Sequence, residues 1–74
     1  MPELPILSAK EIIKILNSLD FKIVRQKGSH VVLRKNNLGC VVPMHKEVAI
    51  GTLKSVLKQA NISVDDFIKT YKSR

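Results

Sequence analysis

Phe21-Lys22-Ile23-Val24-Arg25-Gln26-Lys27-Gly28-Ser29-His30-Val31-Val32-Leu33-Arg34-Lys35 is the stretch on which the fold turns. Its apolar residues alternate with polar ones on a period of two and are rich in β-branched types, so two strands are predicted, Phe21 to Gln26 and His30 to Lys35. Lys27-Gly28-Ser29 joins them as a hairpin loop. Read as a three-residue loop, it sets Ile23 opposite Leu33, Arg25 opposite Val31, Val24 opposite Val32 and Gln26 opposite His30. One face then gathers Phe21, Ile23, Val31 and Leu33, and the other Lys22, Gln26, His30 and Arg34. A two-residue loop would mix these sets, which favours the longer one.

Outward from the hairpin, Asn36-Asn37-Leu38-Gly39 is a turn signal, and Cys40-Val41-Val42 is a short third strand ended by Pro43. Upstream, Pro2 and Pro5 keep the first residues extended. Ser8 with Glu11 three residues on makes a capping box, and Leu7 and Ile12 are spaced for a hydrophobic staple. Ile12, Ile13, Ile15, Leu16 and Leu19 then follow a helical period from about Ala9 to Leu19. Downstream, Leu53, Val56, Leu57 and Ala60 mark a second helix over about Thr52 to Ala60. Asn61 is placed to take a left-handed conformation there, with Ile62 folding back on Val56 or Leu57. Ser63 caps a third helix whose stripe is Val64, Phe67, Ile68 and Tyr71. The expected architecture is α+β, a two-layer sandwich in the order α-β-β-β-α-α, with a three-stranded antiparallel sheet, helices on one face and a polar, basic face opposite.

The length of 74 residues implies one domain, 1–74, with a thin core, since a chain this short hides only about 60% of its unfolded surface. The longest apolar runs, Val31-Val32-Leu33 and Val48-Ala49-Ile50, fall far short of the roughly 20 residues that a bilayer needs. Met1-Pro2-Glu3-Leu4-Pro5 lacks the charged start and apolar stretch of a secretion signal, so a cytoplasmic protein without membrane partners is expected. Cys40 is the only cysteine, which fits a reducing compartment, and its strand setting suits a small buried apolar residue. His30, Cys40, His45 and Glu47 match no Cys/His module, so neither a metal nor another cofactor is expected.

The net charge is +7, and all of the excess lies in the middle of the chain. From Phe21 to Ala60 eight cations stand against the single anion Glu47, whereas the flanking segments nearly cancel. Such a footprint suits a polyanion, nucleic acid before membrane. With no Trp and only 4% aromatic residues there is little to stack bases on, so phosphate contacts would carry the binding.

A histidine can exchange its proton near neutral pH and two cations next to it can hold a phosphate, so Arg25-Gln26-Lys27-Gly28-Ser29-His30 can supply both proton transfer and anion binding. RNA cleaves itself when its 2′-hydroxyl loses a proton and attacks the adjacent phosphorus. An enzyme must supply a base, an acid for the leaving 5′-oxygen and positive charge. His30 is the candidate for base or acid. Gly28 allows a positive φ and exposes backbone N–H groups, Ser29 offers a hydroxyl, and Lys27, Arg25, Arg34 and Lys22 offset phosphate charge. His45 lies fifteen residues beyond His30 and is assigned a structural or RNA-contacting role. The competing reading is an ordinary hairpin loop followed by an exposed strand histidine.

These residues, together with Val42-Pro43 followed by His45 and with Gly51-Thr52-Leu53-Lys54-Ser55-Val56-Leu57-Lys58-Gln59-Ala60, resemble the HicA family, also called YcfA-like, over Ser8 to Phe67. That family is the toxin half of a bacterial and archaeal toxin–antitoxin pair. The resemblance implies a fold similar to a double-stranded RNA-binding domain and a ribosome-independent mRNA interferase silenced by a HicB-type antitoxin. It also implies a toxin that is monomeric when free and oligomeric in the antitoxin complex. The family's glycine, Ser/Asp, histidine turn makes His30 the catalytic residue. Many members carry a second histidine directly after the first, where this chain has Val31, a departure that touches peripheral binding more than the chemistry. Two other functions fit the residues: a non-catalytic module of the double-stranded-RNA-binding type, and a protein-interaction partner whose basic face receives an acidic protein.

Overall fold

The computed structural model describes residues 3–73; Pro2, expected to help keep the N-terminus extended, lies outside them. The elements follow the order α1 (Ala9–Ser18), β1 (Lys22–Lys27), β2 (His30–Lys35), β3 (Leu38–Pro43), α2 (Ile50–Gln59) and α3 (Val64–Lys72). The strands form one antiparallel sheet in the order β1-β2-β3, with the helices packed on one of its faces. This is the α+β arrangement expected from the sequence.

Local signals explain where the helices begin and end. The Ser8 hydroxyl accepts from the Glu11 N–H at 3.2 Å, and that of Ser63 accepts from the Asp66 N–H at 3.1 Å, so α1 and α3 each satisfy one orphan donor. Asn61 has φ +56° and ends α2 as a Schellman turn. There the Ile62 N–H reaches the Leu57 carbonyl at 2.9 Å and the Asn61 N–H reaches that of Lys58 at 3.2 Å. The second helix starts earlier than its apolar spacing indicates, at Ile50, and its N-cap residue, Ala49, makes no side-chain hydrogen bond.

The core joins Ile12, Ile15 and Leu16 of α1 to Val31, Leu33, Cys40 and Val42 of the sheet, to Leu53, Val56 and Leu57 of α2, and to Phe67 of α3. Among the described residues no polar or charged side chain is buried. None of their helices is long and apolar enough to cross a membrane.

The hairpin corrects the register expected from the sequence. Its loop is two residues long, Gly28-Ser29, with Lys27 opposite His30, Gln26 opposite Val31 and Arg25 opposite Val32. Gly28 takes φ +58° and Ser29 does not take a positive value, the sign pattern of a type II′ turn, whose twist suits the flanking strands. A β-bulge between Ile23 and Arg25 then absorbs one extra residue, so Ile23 still meets Leu33 and Lys22 meets Arg34. Loop and bulge together do what a three-residue loop would have done for Ile23, but they exchange the residues between them. Arg25 and Lys27 join His30 on the outer face, and Gln26 turns to the inner one.

Ile23 does not join the core as expected. It remains 52% exposed and Val24 56% exposed, because β1 contacts β2 while α1 and α2 pack on β3. The third strand is longer than Cys40-Val41-Val42, running from Leu38 to Pro43. Asn36, at φ +53°, closes the second hairpin in two residues and frees Leu38 and Gly39 to pair with Lys35 and Arg34. Pro43 ends an edge strand, where its missing N–H costs no ladder bond.

Candidate functional site

The outer face of the β1–β2 hairpin carries a shallow groove of about 530 Å³, lined by Arg25, Lys27, Gly28, Ser29, His30 and Val32. All but Val32 are exposed, and Val32 forms a half-buried apolar floor between its cross-strand partners Arg25 and Val41. The two-residue loop is what assembles the groove, since it sets Arg25 and Lys27 on the side that His30 occupies, and the bulge beyond Arg25 keeps Lys22 on that side as well. The turn is held from below: the Met44 N–H donates to the Ser29 carbonyl at 2.6 Å, and the Ala9 N–H donates to the His45 carbonyl at 3.0 Å. Through these two bonds the loop after β3 fastens the hairpin tip to the start of α1.

No acidic residue occurs between Asp20 and Glu47. The hairpin therefore has no carboxylate of its own to neutralise its cations or to orient the His30 ring, and its groove is an uncompensated positive site open to water. Such a site attracts an anion of phosphate size and offers it two side-chain cations, a hydroxyl and an imidazole.

Lys22 and Arg34 face each other farther along the same outer face and do not line the groove. A Cβ built on Gly39 would stand 3.7 Å from Arg34 Cγ and 3.9 Å from Nε, so the Arg34 side chain lies across β3 at that glycine. His45 is exposed and lines a different hollow, of about 300 Å³, with Ser8, Ala9, Lys10, Met44 and Lys46. The structure thus brings together Arg25, Lys27, Gly28, Ser29 and His30, extends their face with Lys22 and Arg34, and sets His45 apart. Sequence reasoning missed Val32 as the groove floor and Met44 as the anchor of the turn. The alternation of β2 could have shown the first, whereas a backbone N–H on Met44 leaves no mark in the sequence.

Cys40 is buried beneath the sheet, and that burial pushes its thiol up to about 11, which removes it as a nucleophile near neutral pH. Among the described residues no three of the His, Cys, Asp and Glu side chains are grouped to hold a metal ion.

The model of a family described as the HicA toxin of bacterial toxin-antitoxin matches residues 9–62. The match spans α1, the whole sheet with its groove, and α2, and stops before α3. No curated protein matches the chain.

Proposed function

This chain belongs to the HicA toxin family of bacterial toxin–antitoxin systems, and from that premise we propose that it is an endoribonuclease that cuts messenger RNA without the ribosome, with His30 as its acid–base residue. The observation that carries this reading is the exposed His30 imidazole in one groove with Arg25 and Lys27. In the proposed reaction a phosphodiester rests between these cations, and the Gly28–Ser29 turn supplies a hydroxyl and backbone donors. The 2′-oxygen forms a bond to phosphorus as the bond to the 5′-oxygen breaks, leaving a cyclic phosphate and a 5′-hydroxyl. Neutral His30 accepts the proton of the 2′-hydroxyl, or protonated His30 gives one to the leaving oxygen, and groove water carries the other transfer. Arg25 and Lys27 stabilise the charge that develops on the phosphorane. A single acid–base group is worth about 10² to 10⁴ in rate, which suffices for a toxin that needs little turnover.

A toxin of this kind requires an antitoxin. A HicB-type protein with an acidic surface that covers His30 and its cations would block RNA by occupying the same charges.

A purified preparation and its His30→Ala counterpart, each incubated with a messenger transcript, test the reading. Cutting by the first and about 10² to 10⁴ less by the second is expected; equal cutting by both, or none by either, removes it. The second reading, a non-catalytic RNA-binding module, draws on the lone imidazole in the groove. It predicts salt-sensitive RNA affinity that survives His30→Ala, with no cutting by either protein.

A further inference from the structure

The sheet order β1-β2-β3 leaves two outer edges, and the fold treats them differently. On β3 the Gln59 side chain of α2 accepts from the Val41 N–H at 3.1 Å, so a helix covers that edge. On β1 all six residues are exposed, among them Ile23 and Val24, and among the described residues no hydrogen bond from outside the sheet reaches the strand. An open edge is a template for a further strand, and it is usually blunted by charge or a bulge. Here Lys22, Arg25 and Lys27 and the bulge at Val24 supply both devices.

Those same cations select what can pair. Two copies of β1 set side by side would oppose lysines and arginine with nothing acidic nearby, because the chain has no acid between Asp20 and Glu47. RNA could meet the cations, but it has no use for the exposed Ile23 and no alternation of donors and acceptors for a strand edge. An extended acidic polypeptide meets all three features. We propose that the outer edge of β1 receives an acidic, extended segment of a partner protein as a fourth strand of the sheet. The proposal rests on the toxin–antitoxin reading above, with the antitoxin as that partner. The segment carries acidic side chains on the face of Lys22, Arg25 and Lys27 and apolar ones on the face of Ile23. Because Arg25 and Lys27 also line the groove, acids paired with them take the charges that a phosphate would use, so strand addition and RNA binding exclude each other.

A short acetylated and amidated peptide alternating glutamate with valine, titrated into the chain to about 1 mM, a level at which millimolar affinities are visible, tests this through amide hydrogen exchange. The outward-facing amides of β1 should slow by about tenfold, and the effect should fade as salt screens the charges. The same peptide N-methylated along one edge keeps its charge but cannot pair, and it should lose that protection. Protection confined to Gly28, Ser29 and His30, equal protection by the methylated peptide, or protection of β1 by an RNA oligonucleotide and not by the peptide would each overturn the proposal. Transcript cutting by the same preparation separates the two claims. Cutting without strand protection defeats the docking edge alone, and protection without cutting defeats the ribonuclease reading alone.

Discussion

Lys27 and His30 are direct cross-strand partners, the last pair of the β1–β2 ladder before the Gly28–Ser29 turn. Directly opposed residues have their Cβ atoms about 5 Å apart, so an anion seated at the hairpin tip meets an ammonium and an imidazole at once. This closeness follows from the two-residue loop and would be absent in a three-residue one.

Replacing Arg25 and Lys27 together with glutamine should weaken RNA binding for all sequences alike. The slope of log affinity against log salt should flatten by about 0.7 for each cation that contacts a single-stranded phosphate. Binding measured over a range of salt concentrations checks this; an unchanged slope would remove both residues from the interface.

Gln26 gives the opposite case. It pairs with Val31 on the inner face and does not line the groove, so Gln26→Ala should change transcript cutting by no more than about twofold, the usual range of an exposed substitution. A loss comparable to that of Lys27→Ala would mean that the hairpin takes the three-residue-loop register in solution.

At Gly28 an added Cβ would meet nothing within 4 Å, but the backbone stands at φ +58°. Gly28→Ala should therefore cost about 1 kcal/mol through backbone strain alone, and Gly28→Asn less, since asparagine tolerates that region. Urea unfolding of the three proteins gives the order directly, and a cost for alanine above about 3 kcal/mol would point to a steric role instead.

Cys40 should make the fold sensitive to alkali. Burial raises its thiol in the folded chain from an ordinary value of 9.0 to about 11, so the folded state holds a proton that the unfolded state has released. The resulting stability is intact below pH 9 and falls as pH rises toward 11, by roughly 3 kcal/mol over that interval. Cys40→Ala should flatten the fall when the two proteins are unfolded side by side across this range, and identical curves would show that the thiol carries no such linkage.

Much of this molecule is written in short-range signals. Ser8 and Ser63 cap their helices, Asn61 turns left-handed with Ile62 returning to Leu57, and Gly28 takes its positive φ, each as local chemistry dictates. The errors are non-local. The register failed because the loop and the apolar alternation of the strands disagree by one residue, and the chain resolves the conflict with a bulge whose extra residue, Val24, looks like any other strand valine. Ile23 looked like core because β-branched residues favour strands whether or not a helix covers them, and here the helical layer stops short of β1. In the groove, His30, Gly28, Ser29 and the cations were legible as residue types. That Arg25 and Lys27 share the face of His30 while Gln26 does not became apparent only with the two-residue loop.

An interior without a single polar side chain among its described residues has no internal partnership to preserve. Descendants of this chain can trade one aliphatic group for another of equal bulk and keep the shape. The hairpin tip has no comparable latitude, because two residues must satisfy a turn, hang from Met44 and face an incoming polyanion, so drift should erase the inside of such a lineage long before it touches the rim.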